Sequence, residues 1–491
     1  MQESQQDAEV TAFKLSNWIA GEAHAPHSGK YIENVDPARS RVISFLPRSN
    51  HTDADEAVFA AQRAISGQWG LYSPQQRAEL LERVAQQIED RLEEFARAES
   101  LDTGKPLQLA RNVDIPRAVA NFRFFAGALR HDETGCQMMS DALNYSIRKP
   151  LGVVALITPW NLPLYLLSWK LAPAIAMGNA VVAKPSEMTP TTATLLADVF
   201  NQAGAPAGVY NVLHGYGAEA GAPLVEHPNV SGVSFTGGTS TGERVAASAA
   251  SQFKKLSLEL GGKNSSVVFA DCELQKTVEG VVRAAFLNQG QICLCGSRIL
   301  VERSIYVPFV EAVLERVQEL TVGDPFAEGS DMGALISLEH RRKVESYVQG
   351  AINDGGRVLI GGTRPLMQDP FTKGAWLSPT VIVDLDPSCA ASMEEIFGPV
   401  VVIHPFDDEA EAIELANSVE YGLAGTVWTS DLTRAHRVAA ALHTGMVWVN
   451  TWLKRDLRVP FGGVKRSGVE REGGRHSLEF YSELQNICIQ L

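Results

Sequence analysis

The sequence predicts an α/β protein with two doubly wound parallel-sheet domains and a small additional β element. Short apolar segments alternate with helical patterns from residue 151 to 260, which is typical of a parallel sheet with helices on both faces. A second alternating region follows from about 260 to 430. The chain ends in SLEFYSELQNICIQL, where apolar and polar residues alternate as in a strand with an exposed edge.

A helical region is predicted between residues 53 and 103. Apolar residues recur there at three- and four-residue intervals, first through DEAVFAAQRAISGQW and then from Ser73 through LLERVAQQIEDRLEEFARAES. The cluster Asp102–Pro106 contains Gly and Pro and is expected to end this region.

The two alternating regions divide into individual elements. In the first, strands are predicted at 151–158, 180–184, 209–215 and 229–238, with helices at Leu166–Met177, at Thr189–Ala203 and from Gly242. In the second, the predicted strands are SSVVFA, RILVE, TVIVDL, VVIHPF and AGTVWT.

Composition narrows the class of protein. The chain has 491 residues, 45% of them hydrophobic, which is enough for the cores of more than one domain. A net charge of −14 argues against binding to nucleic acid or to an anionic membrane, and no apolar run is long enough to span a bilayer. The polar start, MQESQQDAEV, lacks the features of a secretory signal. Six scattered cysteines without zinc-ligand spacing indicate reduced thiols and no metal, so a cytoplasmic protein is expected.

Seven short motifs follow one another along the chain. They are TPWNLP (158–163), KPSE (184–187), FTGG (235–238), LELGGK (258–263), FLNQGQIC (286–293), EEIFGP (394–399) and PFGGVKRSG (460–468). Any one of them alone would be an ordinary bend, turn or core segment. Together, in this order, they resemble the aldehyde dehydrogenase superfamily, and the resemblance extends from about Trp18 to Tyr481.

The resemblance implies the aldehyde dehydrogenase fold and a domain organisation. A dinucleotide-binding domain is expected from residues 1–130 and 151–258, and a catalytic domain from 259–445. Residues 131–150 and 474–491 are expected to form a β oligomerisation element, and 446–473 a substrate-entrance loop that returns to the first domain. Pairing of such sheet edges implies a homodimer or homotetramer.

The resemblance also assigns the chemistry. A thiolate is a strong nucleophile and later a good leaving group, and Cys293 would attack the aldehyde to form a thiohemiacetal and then a thioester. The side-chain amide of Asn161 and the backbone N–H of Cys293 would stabilise the oxyanion. Glu259 would activate the water that hydrolyses the thioester. Cys295 is interpreted as a small apolar neighbour.

The expected cofactor is NAD. The segment FTGGTSTG leaves a strand and enters a helix, where backbone N–H groups can bind phosphate, whereas HGYG lacks the third glycine of the common dinucleotide fingerprint. A carboxylate at Glu187 would bind ribose hydroxyls and repel a 2′-phosphate, and Lys184 would offset part of that repulsion, so NADP is disfavoured rather than forbidden. The cofactor-binding residues implied by the resemblance are Trp160, Lys184, Glu187, Gly217, Thr236, Gly237, Gly238, Gly242, Leu260, Glu395 and Phe397.

The segments ICLCGSR, WLKRDLR, REGG and HSLEFY resemble the branch of the family that oxidises 2-hydroxymuconate or 2-aminomuconate 6-semialdehyde in aromatic catabolism. Such substrates carry a carboxylate far from the aldehyde, and arginine grips a planar carboxylate well. Arg111 and Arg455 are the predicted clamp, with Arg458 as a weaker substitute. The sequence does not distinguish a 2-hydroxy from a 2-amino substituent.

Three alternatives stay open at this point. A betaine-type or generic aliphatic aldehyde dehydrogenase would need aromatic walls around a cation or an open apolar tunnel, and the arginines disfavour it. An enzyme that transfers the acyl group to coenzyme A would not need the hydrolytic base Glu259. A crystallin-like structural protein on the same fold would not need Cys293, Glu259 and Asn161 together.

Overall fold

A computed structural model describes residues 12–491. The polar start MQESQQDAEV, which lacks the features of a secretory signal, lies outside the described residues. The strands are β1 (Phe13–Lys14), β2 (Asn17–Ile19), β3 (Glu22–His24), β4 (Tyr31–Asp36), β5 (Arg41–Pro47), β6 (Cys136–Met138), β7 (Ala142–Pro150), β8 (Val153–Ile157), β9 (Ala180–Lys184), β10 (Tyr210–Val212), β11 (Val230–Thr236), β12 (Lys255–Glu259), β13 (Ser265–Val268), β14 (Arg298–Glu302), β15 (Arg357–Ile360), β16 (Thr380–Val383), β17 (Val400–Phe406), β18 (Tyr421–Gly422), β19 (Ala424–Trp428), β20 (Met446–Val449), β21 (Val464–Lys465), β22 (Gly468–Val469) and β23 (Ser482–Gln490).

The α-helices are α1 (His51–Ser66), α2 (Pro74–Asp90), α3 (Leu92–Thr103), α4 (Leu107–Leu109), α5 (Ile115–Arg130), α6 (Pro163–Ala176), α7 (Thr191–Gln202), α8 (Ala222–Glu226), α9 (Thr239–Ala250), α10 (Leu274–Phe286), α11 (Tyr306–Gln318), α12 (Leu338–Asn353), α13 (Ala390–Met393), α14 (Glu409–Asn417), α15 (Leu432–Ala441) and α16 (Gly474–Phe480). Two π-helical turns span Ala110–Asp114 and Gly217–Gly221. Within the described range, no helix is both long enough and apolar enough to cross a bilayer.

The first α/β unit contains an eight-stranded sheet in the order β22-β12-β11-β8-β9-β10-β2-β3. The five strands from β12 to β10 run parallel, and the strands at both edges pair antiparallel. Every residue of β8 and β9 is buried, as expected for strands covered by helices on both faces. The predicted strand at 180–184 is confirmed, whereas β12 was not recognised as a member of this sheet.

Two helices of this unit begin earlier than predicted. α6 begins at Pro163 instead of Leu166, because proline at the first helical position already has a helical φ and needs no hydrogen-bonded N–H. α9 begins at Thr239 instead of Gly242. The long helical run after Ser73 is two helices, because Arg91 (φ −108°, ψ 21°) leaves helical geometry between α2 and α3.

The second α/β unit contains a seven-stranded sheet in the order β15-β16-β17-β14-β13-β19-β20. All neighbours run parallel except β15 and β16. The five strands predicted in this region all lie in this sheet, and the two strands at its edges were not predicted. The prediction of two parallel-sheet units is therefore confirmed.

A three-stranded sheet in the order β23-β7-β6 lies apart from the two large sheets. β23 pairs antiparallel with β7 over nine residues, from Ser482 opposite Pro150 to Gln490 opposite Ala142. The predicted C-terminal strand is wrong for its first residues, because Gly474–Phe480 is helical. The apolar residues there also fit a helical interval, since Ser477, Leu478 and Phe480 are buried together.

Candidate active site

A strained turn carries Cys293 into the interior. Asn288 and Gln289 both adopt left-handed backbone conformations (φ 53° and 57°), which cost on the order of 1–3 kcal/mol each for residues with a side chain. Asn288 Nδ2 donates to the Asn161 carbonyl (3.2 Å), and Gln289 Nε2 donates to the Ala334 carbonyl (3.0 Å). Buried side-chain hydrogen bonds thus hold a conformation that the backbone alone would avoid.

Cys293 lies where two cavities meet. The apolar cavity is lined by Leu109, Val113, Asp114, Leu162, Tyr165, Leu166, Trp169, Leu287, Ile292, Cys293, Leu294, Leu453, Arg455 and Phe461. The polar cavity, about 250 Å³ in volume, is lined by Pro159, Trp160, Asn161, Leu166, Thr236, Gly237, Gly238, Glu259, Leu260, Gly261, Cys293, His340, Lys343, Glu395 and Phe397. A molecule in either cavity can therefore reach the same sulfur atom.

The Cys293 thiol is protonated in the resting protein. Burial and the nearby carboxyl groups of Glu259 and Glu395 raise the pKa of this thiol well above its usual range, and the Arg455 guanidinium opposes them. The thiol must lose its proton before it can act as a nucleophile, because the thiolate is the reactive form. Glu259 is a carboxyl group in the polar cavity that could take that proton.

Glu259 is a buried carboxyl group with spare hydrogen-bonding capacity. Burial and the neighbouring Glu472 raise the pKa of Glu259 well above its usual range, although the Lys170 ammonium lowers it. Its Oε1 atom has no hydrogen-bond partner within residues 12–491. A carboxyl group with a raised pKa and an oxygen free to bind water suits a general base.

Two hydrogen-bond donors lie close to the thiol. Asn161 is buried, and its side-chain Nδ2 donates to the carbonyl of Gln291 (2.9 Å), two residues before Cys293. In the part of the chain that the structure describes, the Cys293 backbone N–H donates to no backbone carbonyl. Asn264 Nδ2 holds the same segment by donating to the carbonyls of Cys293 (2.8 Å) and Cys295 (2.9 Å). Cys295 is buried and lines neither cavity.

The structure brings seven of the predicted cofactor residues together around the polar cavity: Trp160, Thr236, Gly237, Gly238, Leu260, Glu395 and Phe397. Thr236 Oγ1 is buried and has no hydrogen-bond partner among the described residues, and α9 begins directly after Gly238, so free donors face this space. Glu395 Oε1 accepts the Gly262 N–H (2.9 Å), which fixes its carboxylate at the cavity wall. These groups fit a dinucleotide.

The other four predicted cofactor residues do not line this cavity. Lys184 ends β9 and forms a 3.0 Å ion pair with Glu187. Gly217 opens the neighbouring π-helical turn, whose last glycine lies against the Lys184 side chain. Gly242 lies inside α9 against Leu260, where a Cβ would collide with the leucine, so it sets the distance between helix and strand.

Among the titratable residues of the polar cavity, His340 and Lys343 were not predicted. His340 Nε2 donates to the Phe397 carbonyl (2.6 Å), and Phe397 has a left-handed backbone (φ 60°). The Trp160 ring packs against both, with centroid distances of 5.3 Å to each. Both missed residues lie on α12, and its helical pattern carries no sign that this face reaches a cavity.

The structure does not bring Arg111 to the apolar cavity, and its predicted role is corrected. Its guanidinium forms two 2.8 Å hydrogen bonds with the Glu93 carboxylate on α3. The cavity wall in this segment is formed instead by Leu109, Val113 and Asp114. The π-helical turn Ala110–Asp114 contains an extra residue relative to an α-helix and so changes which side chains face inward. Arg458 pairs with Asp456 and is exposed.

Arg455 lines the apolar cavity, and Arg117 lies beside it. The Arg455 guanidinium stacks on the rings of Trp169 (4.7 Å) and Phe461 (4.3 Å), and that of Arg117 on Tyr165 (5.2 Å) and Trp169 (5.5 Å). Among the described residues neither has a carboxylate partner, and each has a buried Nη2 atom without an acceptor. Burial and the charge of Arg455 lower the pKa of Arg117 to about 10. This end of the cavity can therefore accept an anion.

Comparison with known proteins places these features in a family. Residues 24–487 match the aldehyde dehydrogenase family. The chain is 50% identical over 484 residues to a 2-hydroxymuconic semialdehyde dehydrogenase of Pseudomonas sp. (strain CF600), covering 97% of this chain and 100% of that protein. It is 48% identical over 470 residues to a 2-aminomuconic 6-semialdehyde dehydrogenase of Pseudomonas sp., covering 94% and 96%.

Among solved structures, the NAD+ complex of an aldehyde dehydrogenase from Bacillus cereus is 37% identical, with a TM-score of 0.95 and coverage of 97% of each chain. The fold predicted from the motifs is thus confirmed. The match spans both α/β units and the site around Cys293. The chain therefore belongs to the aldehyde dehydrogenase family.

Proposed function

We propose that this enzyme oxidises a semialdehyde bearing a distal carboxylate to the dicarboxylic acid, with NAD as the hydride acceptor. The proposal depends mainly on one observation: Cys293 lies between a cavity lined by Arg455, with Arg117 beside it and neither guanidinium bound to a carboxylate among the described residues, and a cavity suited to a dinucleotide. The names of the two relatives support substrates of the 2-hydroxymuconate or 2-aminomuconate 6-semialdehyde type.

In this mechanism the Cys293 sulfur attacks the aldehyde carbon, and the thiol proton passes to Glu259. The resulting oxyanion accepts hydrogen bonds from Asn161 Nδ2 and from the Cys293 N–H. Bound NAD would supply the hydride acceptor in the polar cavity. Donors of this kind typically contribute on the order of 100-fold or more in rate.

The thioester on Cys293 must then be hydrolysed. Glu259 first releases the thiol proton to solvent, and its carboxylate then takes a proton from the attacking water; the tetrahedral intermediate collapses to the carboxylic acid, and the Cys293 thiolate leaves. Because burial raises the pKa of Glu259, its carboxylate form becomes available only at a higher pH than that of an exposed glutamate. Turnover should therefore rise with pH until Glu259 is fully ionised.

NAD is preferred over NADP because Glu187 lies at the expected adenosine end of the site. Its carboxylate would accept hydrogen bonds from ribose hydroxyls and repel a 2′-phosphate. Lys184 is engaged with this carboxylate at 3.0 Å, which leaves it less free to bind a phosphate.

The charge of the apolar cavity disfavours the betaine-type alternative, because two unpaired guanidinium groups repel a quaternary ammonium. The position of Glu259 supports water over coenzyme A as the acyl acceptor. We also propose that the enzyme works in the cytoplasm as a homo-oligomer, consistent with its six free cysteines and the exposed edge of β23.

Substitution of the arginines tests the substrate class. Arg117→Ala and Arg455→Ala should each raise KM about 10- to 100-fold for a carboxylate-bearing semialdehyde, the equivalent of one lost charge-assisted hydrogen bond. The KM for a neutral aldehyde of similar length should change less than about threefold, because such an aldehyde makes no specific contact with either guanidinium. NADH formation provides the measurement.

Arg111→Ala is the matched control, because Arg111 is bound to Glu93 outside the cavity, and it should leave both KM values unchanged. Equal losses with the charged and the neutral aldehyde in the two cavity variants would contradict the carboxylate site. Absence of any NAD-dependent aldehyde oxidation by the wild type would contradict the proposed function itself.

A further inference from the structure

A buried cluster of charged residues lies directly behind Asn161. Lys105 Nζ is 2.6 Å from Asp114 Oδ2 and 3.7 Å from Glu99 Oε1. The three side chains are 0–2% exposed. They come from three consecutive segments, because α3 carries Glu99, the turn after the left-handed Gly104 (φ 74°) carries Lys105, and the π-helical turn carries Asp114.

This cluster is bonded to the backbone of the active site at two points. Lys105 Nζ donates to the Asn161 carbonyl (3.0 Å). Glu99 Oε2 accepts the N–H of Leu164 (3.4 Å) in the first turn of α6. Asp114 also lines the apolar cavity. The cluster therefore connects the segment that carries Asn161 to the wall of the substrate cavity.

The charges of the cluster balance only if one carboxyl group is protonated. Two buried carboxyl groups share one buried ammonium, and an unpaired buried charge is costly. Asp114 has the close contact with Lys105. Burial and the nearby Asp114 and Asp102 raise the pKa of Glu99 to about 7, against the effect of Lys105. Glu99 thus holds a proton over much of the acidic and neutral range.

We propose that Lys105 is a positioning residue for the oxyanion site, and that Asp114 and Glu99 hold it against the Asn161 carbonyl. This inference rests on the proposed function, in which Asn161 Nδ2 stabilises the oxyanion. Asn161 is followed by Leu162 and Pro163 at the start of α6, and its carbonyl receives only the side chains of Lys105 and Asn288 as donors within the described chain. Without the ammonium, only the longer hydrogen bond from Asn288 (3.2 Å) holds the carbonyl, and the orientation of the Asn161 side-chain amide is less firmly fixed.

The test combines steady-state kinetics with a double-mutant cycle. Lys105→Met should lower kcat at least tenfold, while KM for the semialdehyde and Kd for NAD stay within about threefold, because the ground-state contacts are made by other residues. Asn161→Ala should itself lower kcat about 100-fold. In the Asn161→Ala background, Lys105→Met should have less than a threefold further effect, because two residues that act through one interaction are not additive.

Asp114→Asn is the milder variant if Lys105→Met does not fold, since it keeps the shape of the cluster and weakens the hold on Lys105; the same cycle applies.

Arg39→Met is the matched control. Arg39 is a largely buried cation 3.1 Å from the buried Asp36 and lines neither cavity, so its loss should cost stability, measured by thermal unfolding, with kcat unchanged.

Full activity of folded Lys105→Met, or effects of Lys105→Met and Asn161→Ala that multiply, would overturn the positioning role. Either outcome leaves wild-type turnover intact and so does not affect the proposed function. If the wild type oxidises no semialdehyde, the proposed function fails first.

Discussion

The proposed roles of Cys293 and Glu259 can be tested at the level of single residues. Glu259→Gln keeps the shape of the side chain but cannot accept a proton, so both thiol deprotonation and thioester hydrolysis should slow. Hydrolysis should slow more than thioester formation, because a thiol is a much stronger acid than water and can also lose its proton to solvent. We expect turnover to fall at least 100-fold, as a typical loss for a general base. Intact-mass spectrometry of this variant with substrate and NAD should then show the acyl group on the protein.

The double variant Glu259→Gln, Cys293→Ala is the control and should show no added mass. Turnover that survives Cys293→Ala would contradict covalent catalysis by this sulfur. The acyl group on any residue other than Cys293 would contradict the assignment of the nucleophile.

The proposed reacting residues could be picked out from the sequence, because their motifs place a thiol, a carboxylate and an amide in a recognisable order, and the structure brings all three to the wall of the polar cavity. The direction in which a helical side chain points could not be predicted. Arg111 and Arg117 lie six residues apart on one segment, and Arg111 itself lies in the π-helical turn Ala110–Asp114, which changes the register on which a 3.6-residue period depends. The helical period therefore does not indicate which arginine faces the cavity, and only the structure shows that Arg111 pairs with Glu93.

At the level of elements, the junction between β10 and the π-helical turn contains a buried neutral histidine. His214 is fully buried; its Nε2 lies 2.9 Å from Thr194 Oγ1, and Nδ1 has no partner within the described residues. Burial and the Lys184 charge lower the pKa of His214 from 6.5 to about 3. A histidine with a lowered folded pKa contributes stability above its unfolded pKa, and this contribution is lost as pH falls toward the folded pKa.

We therefore expect the melting temperature of the wild type to fall between pH 6.5 and pH 4. In His214→Gln this decrease should be smaller, even if the variant is less stable at neutral pH. Differential scanning calorimetry across this pH range measures the slope. An identical slope in both proteins would show that His214 does not charge on unfolding in this range.

Elements covered on both faces were the easiest to predict. β8 and β9 are continuous apolar runs between turn residues, and their only compatible place is the middle of a parallel sheet. The segment SLEFY was harder, because its apolar spacing fits a strand and a helix equally well over five residues. The segment forms α16 because Leu478 and Phe480 pack into the hydrophobic core of the first α/β unit, against residues far away in the chain.

At the level of the whole molecule, the three-stranded sheet has an open edge. β23 lies at the end of the order β23-β7-β6 and pairs only with β7 in the described chain. Its side chains are mostly exposed, and they include Leu484 (59% exposed) and Ile489 (46% exposed). A long exposed strand with apolar residues favours pairing with another copy of the chain.

If β23 joins subunits, charges placed on both faces of this strand should separate them, because residues an odd number apart point to opposite faces of a sheet. Leu484→Lys with Ile489→Lys keeps β23 paired to β7 but places like charges where two copies would meet, and we expect the mass measured by light scattering to fall toward that of the monomer. Leu366→Lys is the control: Leu366 is fully exposed and far from this sheet in the chain, so the mass should not change. An unchanged mass in the double variant would mean that the subunits associate through another surface. Burying two unpaired lysines from each copy in an interface at β23 would cost far more free energy than leaving them exposed to water.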